Sequence, residues 1–161
     1  MGIREQVTPE QFKTIYNGPV GAAQYVATAS GGALEFAHEM LTSAAAMREK
    51  ALEHASDYGP LVQGLAEDMN KLGFSDIDDI AAKVEATDME SLRSGIKQLV
   101  AEAAAAVKDM PGADGYERWV LDVARAAAAT KSGGFLGFGA KSVVDEKEEA
   151  ALAELQAVLE A

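Results

Sequence analysis

Apolar residues recur along this chain at spacings of three and four, broken by short turns that carry glycine or proline, a pattern that predicts helices from end to end. Thr8-Pro9-Glu10-Gln11 has the form of a helix start: the Thr8 hydroxyl can accept the amide of Gln11, Pro9 suits the first helical position, and Gln11 can reach back to the cap. Phe12, Ile15 and Tyr16 give this helix an apolar side, and Asn17-Gly18 is expected to end it. Pro19 then opens a second helix to about Ala29, with Gly21, Ala22, Ala23 and Ala27 permitting close approach. With no charge on any side, that helix is expected to be central and buried on most of its circumference.

A third helix is predicted from about Gly32 to Ser56, with Phe36, Met40, Ala44, Met47, Ala51 and Ala55 on one stripe. Asp57-Tyr58-Gly59-Pro60 reads as a stop and restart, and a fourth helix over about Pro60 to Leu72 buries Leu61, Leu65, Met69 and Leu72, with Gly73 as its C′ residue. A short acidic helix is expected from Ser75 to about Glu85, with Asp76, Asp78 and Asp79 in the first turn, where the helix dipole favours them. Thr87-Asp88-Met89-Glu90 reads as a second capping box. The helix behind it carries Met89, Leu92, Ile96, Leu99, Ala103 and Val107 as a narrow seam, and Gly95 within it marks a close crossing or a bend. After the loop at Met110-Pro111-Gly112-Ala113-Asp114-Gly115, a helix from Tyr116 to about Lys131 buries Tyr116, Trp119, Val120, Val123 and Ala127. A last helix begins after Asp145-Glu146-Lys147-Glu148 and carries Leu152, Leu155 and Leu159. No long run alternates with period two, so the fold class is all-α, a compact bundle of about seven or eight helices.

Length makes 1–161 a single helical domain, with 131–144 as a glycine-rich apolar loop before the last helix. Apolar residues make up 48% of the chain but aromatics only 6%, which predicts a core of closely spaced helix backbones over small side chains. The net charge of −12 argues against nucleic acid and anionic membranes as partners, since both need clustered Lys and Arg. With no cysteine there is neither a thiolate nucleophile nor a Cys-based metal site. No secretory signal is visible, and the uncharged run from Thr14 to Leu34 is broken by Asn17-Gly18-Pro19 and Ser30-Gly31-Gly32. A cytoplasmic protein is expected.

Candidate chemistry is sparse. From Gly134 the chain reads Gly-x-x-x-x-Gly-Ala-Lys-Ser, one residue too long for a phosphate loop and preceded by a helix where that loop needs a strand. Two readings of the stretch remain: Phe135, Leu136 and Phe138 tuck under the bundle as an apolar plug, or they are displayed to a partner protein. An echo at Ala27–Phe36 repeats Ala-Thr-x-Ser-Gly-Gly-x-Leu-x-Phe from Ala129–Phe138, a helix stop followed by apolar residues. Glu35, His38 and Glu39 give one Glu-x-x-His of the ferritin-like kind, but no second copy exists, so a solvated face is the better reading and a carboxylate metal site the alternative. Asp76-Ile77-Asp78-Asp79 lacks the later glycine and glutamate of a calcium loop. Two histidines offer few general bases, so no catalytic residue and no cofactor is assigned.

Gly133-Gly134-Phe135-Leu136-Gly137-Phe138-Gly139, followed by Val144-Asp145-x-x-Glu148 and Ala/Leu repeats, resembles a family of small bacterial helical proteins ending in Gly-Gly-Phe-Leu-Gly-Phe-Gly-Gly and Val-Ser-x-x-Glu. Thr8-Pro-Glu-Gln-Phe12, Pro19 and the helix ending at Ser30-Gly31 are similar to that family's beginning, while Ala140 and Asp145 depart from its Gly and capping Ser. The resemblance implies a bacterial cytoplasmic protein and supplies no catalytic residue. A fainter similarity, to TerB-like helical domains, implies acidic side chains on metal ions. The resulting expectation is a non-catalytic helical module acting through protein contacts or self-association, with a carboxylate-based metal-binding protein as the alternative.

Overall fold

The period of three and four is realised as helix in a computed structural model that describes residues 2–29, 53–132 and 146–161. Its α-helices are α1 Pro9–Ala27, α2 Pro60–Lys71, α3 Phe74–Ile80, α4 Met89–Val107, α5 Ala113–Ser132 and α6 Glu146–Leu159, with a 3-10 turn at Ala55–Tyr58 ahead of α2. The chain is all-α, with no strand among the described residues. The helix expected over 32–56 lies almost wholly outside them. No helix among them is long and apolar enough to cross a membrane.

Helix α1 is the axis. It lies against α4 and α5 over most of its length and also meets α6. The predicted capping box forms, with Gln11 N donating to Thr8 Oγ1 at 3.2 Å and Thr8 N donating to Gln11 Oε1 at 2.9 Å. The expected break at Asn17-Gly18 does not occur, and one helix runs through Pro19. Three residues, Asn17, Gly18 and Tyr116, explain this. Asn17 turns inward, its Nδ2 donating both to Lys13 O of its own helix at 2.8 Å and to Ile80 O at 2.7 Å, and its Oδ1 accepting from Ala82 N at 2.9 Å. Pro19 has no N–H, so the carbonyl of Ile15 loses its donor four residues on. The Tyr116 hydroxyl of α5 supplies a replacement, donating to Ile15 O at 2.5 Å. Gly18 makes the room: a Cβ there would stand 2.1 Å from that hydroxyl. A proline that would break an isolated helix is thus accommodated by a neighbouring one.

Other boundaries shift as well, some for local reasons and some through contacts distant in sequence. Gly59 adopts φ +90° and Pro60 starts α2, so the stop and restart at residues 57–60 stands. Gly73 is no left-handed C′ residue; its φ is −85° and it opens α3, with Gly73 N donating to Asp76 Oδ2 at 2.9 Å. Helix α3 stops at Ile80, short of Glu85, because Asn17 takes the groups at 80 and 82 that would carry it on. The cap of α4 is Asp88 rather than Thr87, its carboxylate accepting from Ser91 N at 2.7 Å. The buried seam of α4 is Ile96, Val100, Ala103, Ala104 and Val107; Leu99 gives way to Val100, and Met89 is 41% exposed. Gly95 lies under the side chain of Val84, so the close approach there is made by the extended segment after α3. Helix α5 starts at Ala113, earlier than Tyr116, because Gly115 can enter it: a Cβ there would meet the Tyr58 carbonyl oxygen at 1.7 Å.

The core gathers Phe12, Ile15 and Val26 of α1, Leu65 of α2, Ile96 and Val100 of α4, Trp119 and Val123 of α5, and Leu155 of α6. The N-terminal turn is fastened by Asp68 of α2, a buried carboxylate that accepts from Arg4 N at 2.9 Å. Trp119, the only tryptophan, is fully buried with its indole N–H unpartnered among the described residues.

Candidate functional site

The residues singled out for partner binding, Phe135, Leu136 and Phe138, lie outside the described residues, as do Glu35, His38 and Glu39 of the metal alternative. The other histidine, His54, sits on the surface with Nδ1 3.6 Å from Asp57 and Nε2 3.9 Å from Glu53. Among the described residues no group of three or more His, Asp or Glu is placed to hold a metal ion.

Two tyrosine-centred clusters collect much of the remaining polar chemistry. In the first, the Tyr25 hydroxyl of α1 donates to Glu154 of α6, and Lys97 Nζ of α4 donates to the same carboxylate at 3.2 Å. The Arg93 guanidinium, one turn before Lys97, lies 4.6 Å from the Tyr25 ring centroid. The hydroxyl bond, with the Lys97 and Arg93 charges, holds the Glu154 carboxyl below its usual range, while the bond to Glu154 raises Lys97.

In the second cluster, the Tyr58 hydroxyl donates to Asp122 Oδ2 of α5 at 2.8 Å, and Arg125 lies 3.3 Å from Oδ1. Arg118 extends over the Tyr58 ring at 5.5 Å and donates to Asp57 O at 2.9 Å. Burial, the bond to Asp122 and its negative charge push the Tyr58 hydroxyl up to about 12. Both clusters hold helices together: the ring is the buried part, and the charges sit at the rim.

The feature that differs from such ties is a groove of about 520 Å³ where the C-terminal end of α4, the start of α5 and the end of α6 converge. Ala101, Ala104 and Ala105 of α4 and Ala113 of α5 floor it, and Val158 and Leu159 of α6 close one end. Around it stand Asp114, Glu117 and Glu160, with Lys108 as the one lining cation among the described residues. Burial and the neighbouring Asp114 and Glu160 raise the Glu117 carboxyl above its ordinary value, an effect Lys108 only offsets. A helix surface of alanines lets another helix come close, since interaxial distance follows side-chain size. The alanines at 101 and 103–106, interrupted by Glu102, are plain in the sequence, but nothing in their spacing says which of them α5 and α6 cover.

The chain matches no family model, no curated protein and no solved structure.

Proposed function

We propose that the chain is a non-catalytic helical module that works through protein contacts, by docking a partner or by self-association. The observation that carries this reading is the alanine-floored groove between α4, α5 and α6, an apolar recess with charged edges of the kind that receives a side-chain row from another helix. The use of Tyr25, Tyr58, Tyr116, Glu154 and Asp122 in ties between elements supports it, since their polar groups already serve the scaffold. Phe135, Leu136 and Phe138 form the second candidate surface on this reading. The family resemblance supports a bacterial cytoplasmic setting, and the charge of −12 supports protein rather than nucleic acid or membrane as the partner.

A photocrosslinking amino acid placed at Ala105, and separately at Phe138, tests this in the living cell. The expected result is a discrete protein adduct, with a partner or with a second copy, from at least one position. Absence of any adduct from both positions, with the protein folded, overturns the reading.

A further inference from the structure

Resting on that reading, we infer that the groove between α4, α5 and α6 receives a cationic amphipathic helix of a different protein, its large aliphatic side chains on the alanine floor and its Lys or Arg side chains against the acidic edge. The floor sets the first half of this chemistry. Ala101 and Ala105 are exposed and one helical turn apart, with Ala104 buried beside them, so this part of the α4 surface presents only methyl groups to the groove. Such a floor is covered by Leu- or Met-sized groups spaced at i and i+4 on an incoming helix.

The edge sets the second half. Asp114, Glu117 and Glu160 line the same recess and outnumber Lys108 beside them, and covering them strips water from carboxylates only partly compensated by that lysine. Burial first, and then the charges of Asp114 and Glu160, already raise the Glu117 carboxyl. An acidic or uncharged occupant makes the imbalance worse, whereas a Lys or Arg relieves it. A second copy of this chain is disfavoured on the same ground: it carries −12 and brings the same three carboxylates to the contact. Partner and groove are therefore complementary in both shape and sign.

The full-length protein is titrated into a fluorescein-labelled synthetic helix of about 18 residues with leucine on one face and lysine on its flanks. A matched peptide with glutamate in place of lysine serves as comparison. The expected result is binding of the lysine peptide at least about tenfold tighter than the glutamate peptide. Ala105→Arg fills and recharges the groove and should weaken binding about tenfold with the Trp119-reported melting temperature unchanged. Ser94→Arg adds the same charge roughly 16 Å away along α4 and should leave binding within about twofold. Equal weakening by Ala105→Arg and Ser94→Arg would show attraction to an acidic surface at large and overturn the groove assignment. Equal binding of both peptides, or of neither, overturns the cationic-helix assignment; if an adduct still forms from Ala105 or Phe138, the protein-contact reading survives without it. Should Ala105→Arg lower the melting temperature, Glu117→Gln replaces it, with an expected threefold or so weakening and a shallower salt dependence.

Discussion

The two tyrosine clusters are assembled from the same parts, a tyrosine, a carboxylate and two cations, yet they hold the molecule in different ways. At Tyr25 every part but one pair comes from a separate helix: the ring from α1, the acid Glu154 from α6, and Arg93 and Lys97 from α4. At Tyr58 the acid and both cations lie on α5, four residues before and three after Asp122, and only the tyrosine comes from elsewhere. The first joins three helices at one carboxylate; the second pins a short 3-10 turn to a single prepared face. The number of elements meeting at the acid, more than the number of bonds, decides what is lost when one part is removed.

The hardest blow to the Tyr58 side should come from a residue outside the cluster. Gly115→Ala places a methyl against the Tyr58 carbonyl and forces the turn off α5, with an expected loss of about 3 kcal/mol. Denaturant unfolding monitored by Trp119 fluorescence measures it, and a loss under about 1 kcal/mol would mean the turn can shift without cost.

Removing only the hydroxyls sharpens the contrast. Tyr25→Phe and Tyr58→Phe should each cost about 1 kcal/mol, with Tyr25→Phe the larger because three helices share its acceptor. In a double-mutant cycle, Tyr25→Phe should couple with Lys97→Met across α1 and α4, while Tyr58→Phe and Lys97→Met should add independently. Since Lys97 and Glu154 are 39% and 46% exposed, Lys97→Met alone should cost only a few tenths of a kcal/mol.

The smallest effect is the dependence on pH, and it separates the clusters by sign. The lowered Glu154 carboxyl contributes stability at neutral pH that is lost as pH falls below the usual glutamate range, and Glu154→Gln should remove that part of the acid limb. The raised Tyr58 hydroxyl does the reverse: its contribution is complete below its ordinary value near 10 and disappears as pH climbs toward about 12. Asp122→Asn should shrink that alkaline loss. Lys97, raised by Glu154, adds an alkaline loss of its own to the Tyr25 side, which salt should suppress because the lysine is exposed. Melting temperatures across pH for both variants check the assignment.

Much of this architecture is legible in the sequence because capping and period are local. Thr8 to Gln11, the turn at Gly59-Pro60, Leu61 and Leu65 of α2 and the buried row of α5 all follow from neighbours within one or two helical turns, while Met69 and Leu72 are only partly buried. The misplacements at residues 17–19 and at Gly115 have the opposite property. Asn17-Gly18-Pro19 reads as a break because each residue weakens an isolated helix, and its rescue depends on Tyr116, 101 residues away from Ile15. Gly115 reads as loop because the Tyr58 backbone that needs it is distant in sequence. The groove was illegible for the same reason: an alanine face has the same sequence whether another helix covers it or not. Phe135, Leu136 and Phe138, and Glu35, His38 and Glu39, stand as the sequence left them.

The link between Pro19 and Tyr116 also constrains the order in which this chain can change. A carbonyl oxygen has two lone pairs, so replacing Pro19 first restores an amide donor that Ile15 can accept alongside the hydroxyl. After that step, loss of the hydroxyl at 116 leaves no buried acceptor bare. Taken in the opposite order, Tyr116→Phe passes through a chain whose Ile15 oxygen has lost its buried donor. Descent away from this arrangement therefore has a preferred direction, proline first and tyrosine second, and lineages that keep the proline are expected to keep the tyrosine with it.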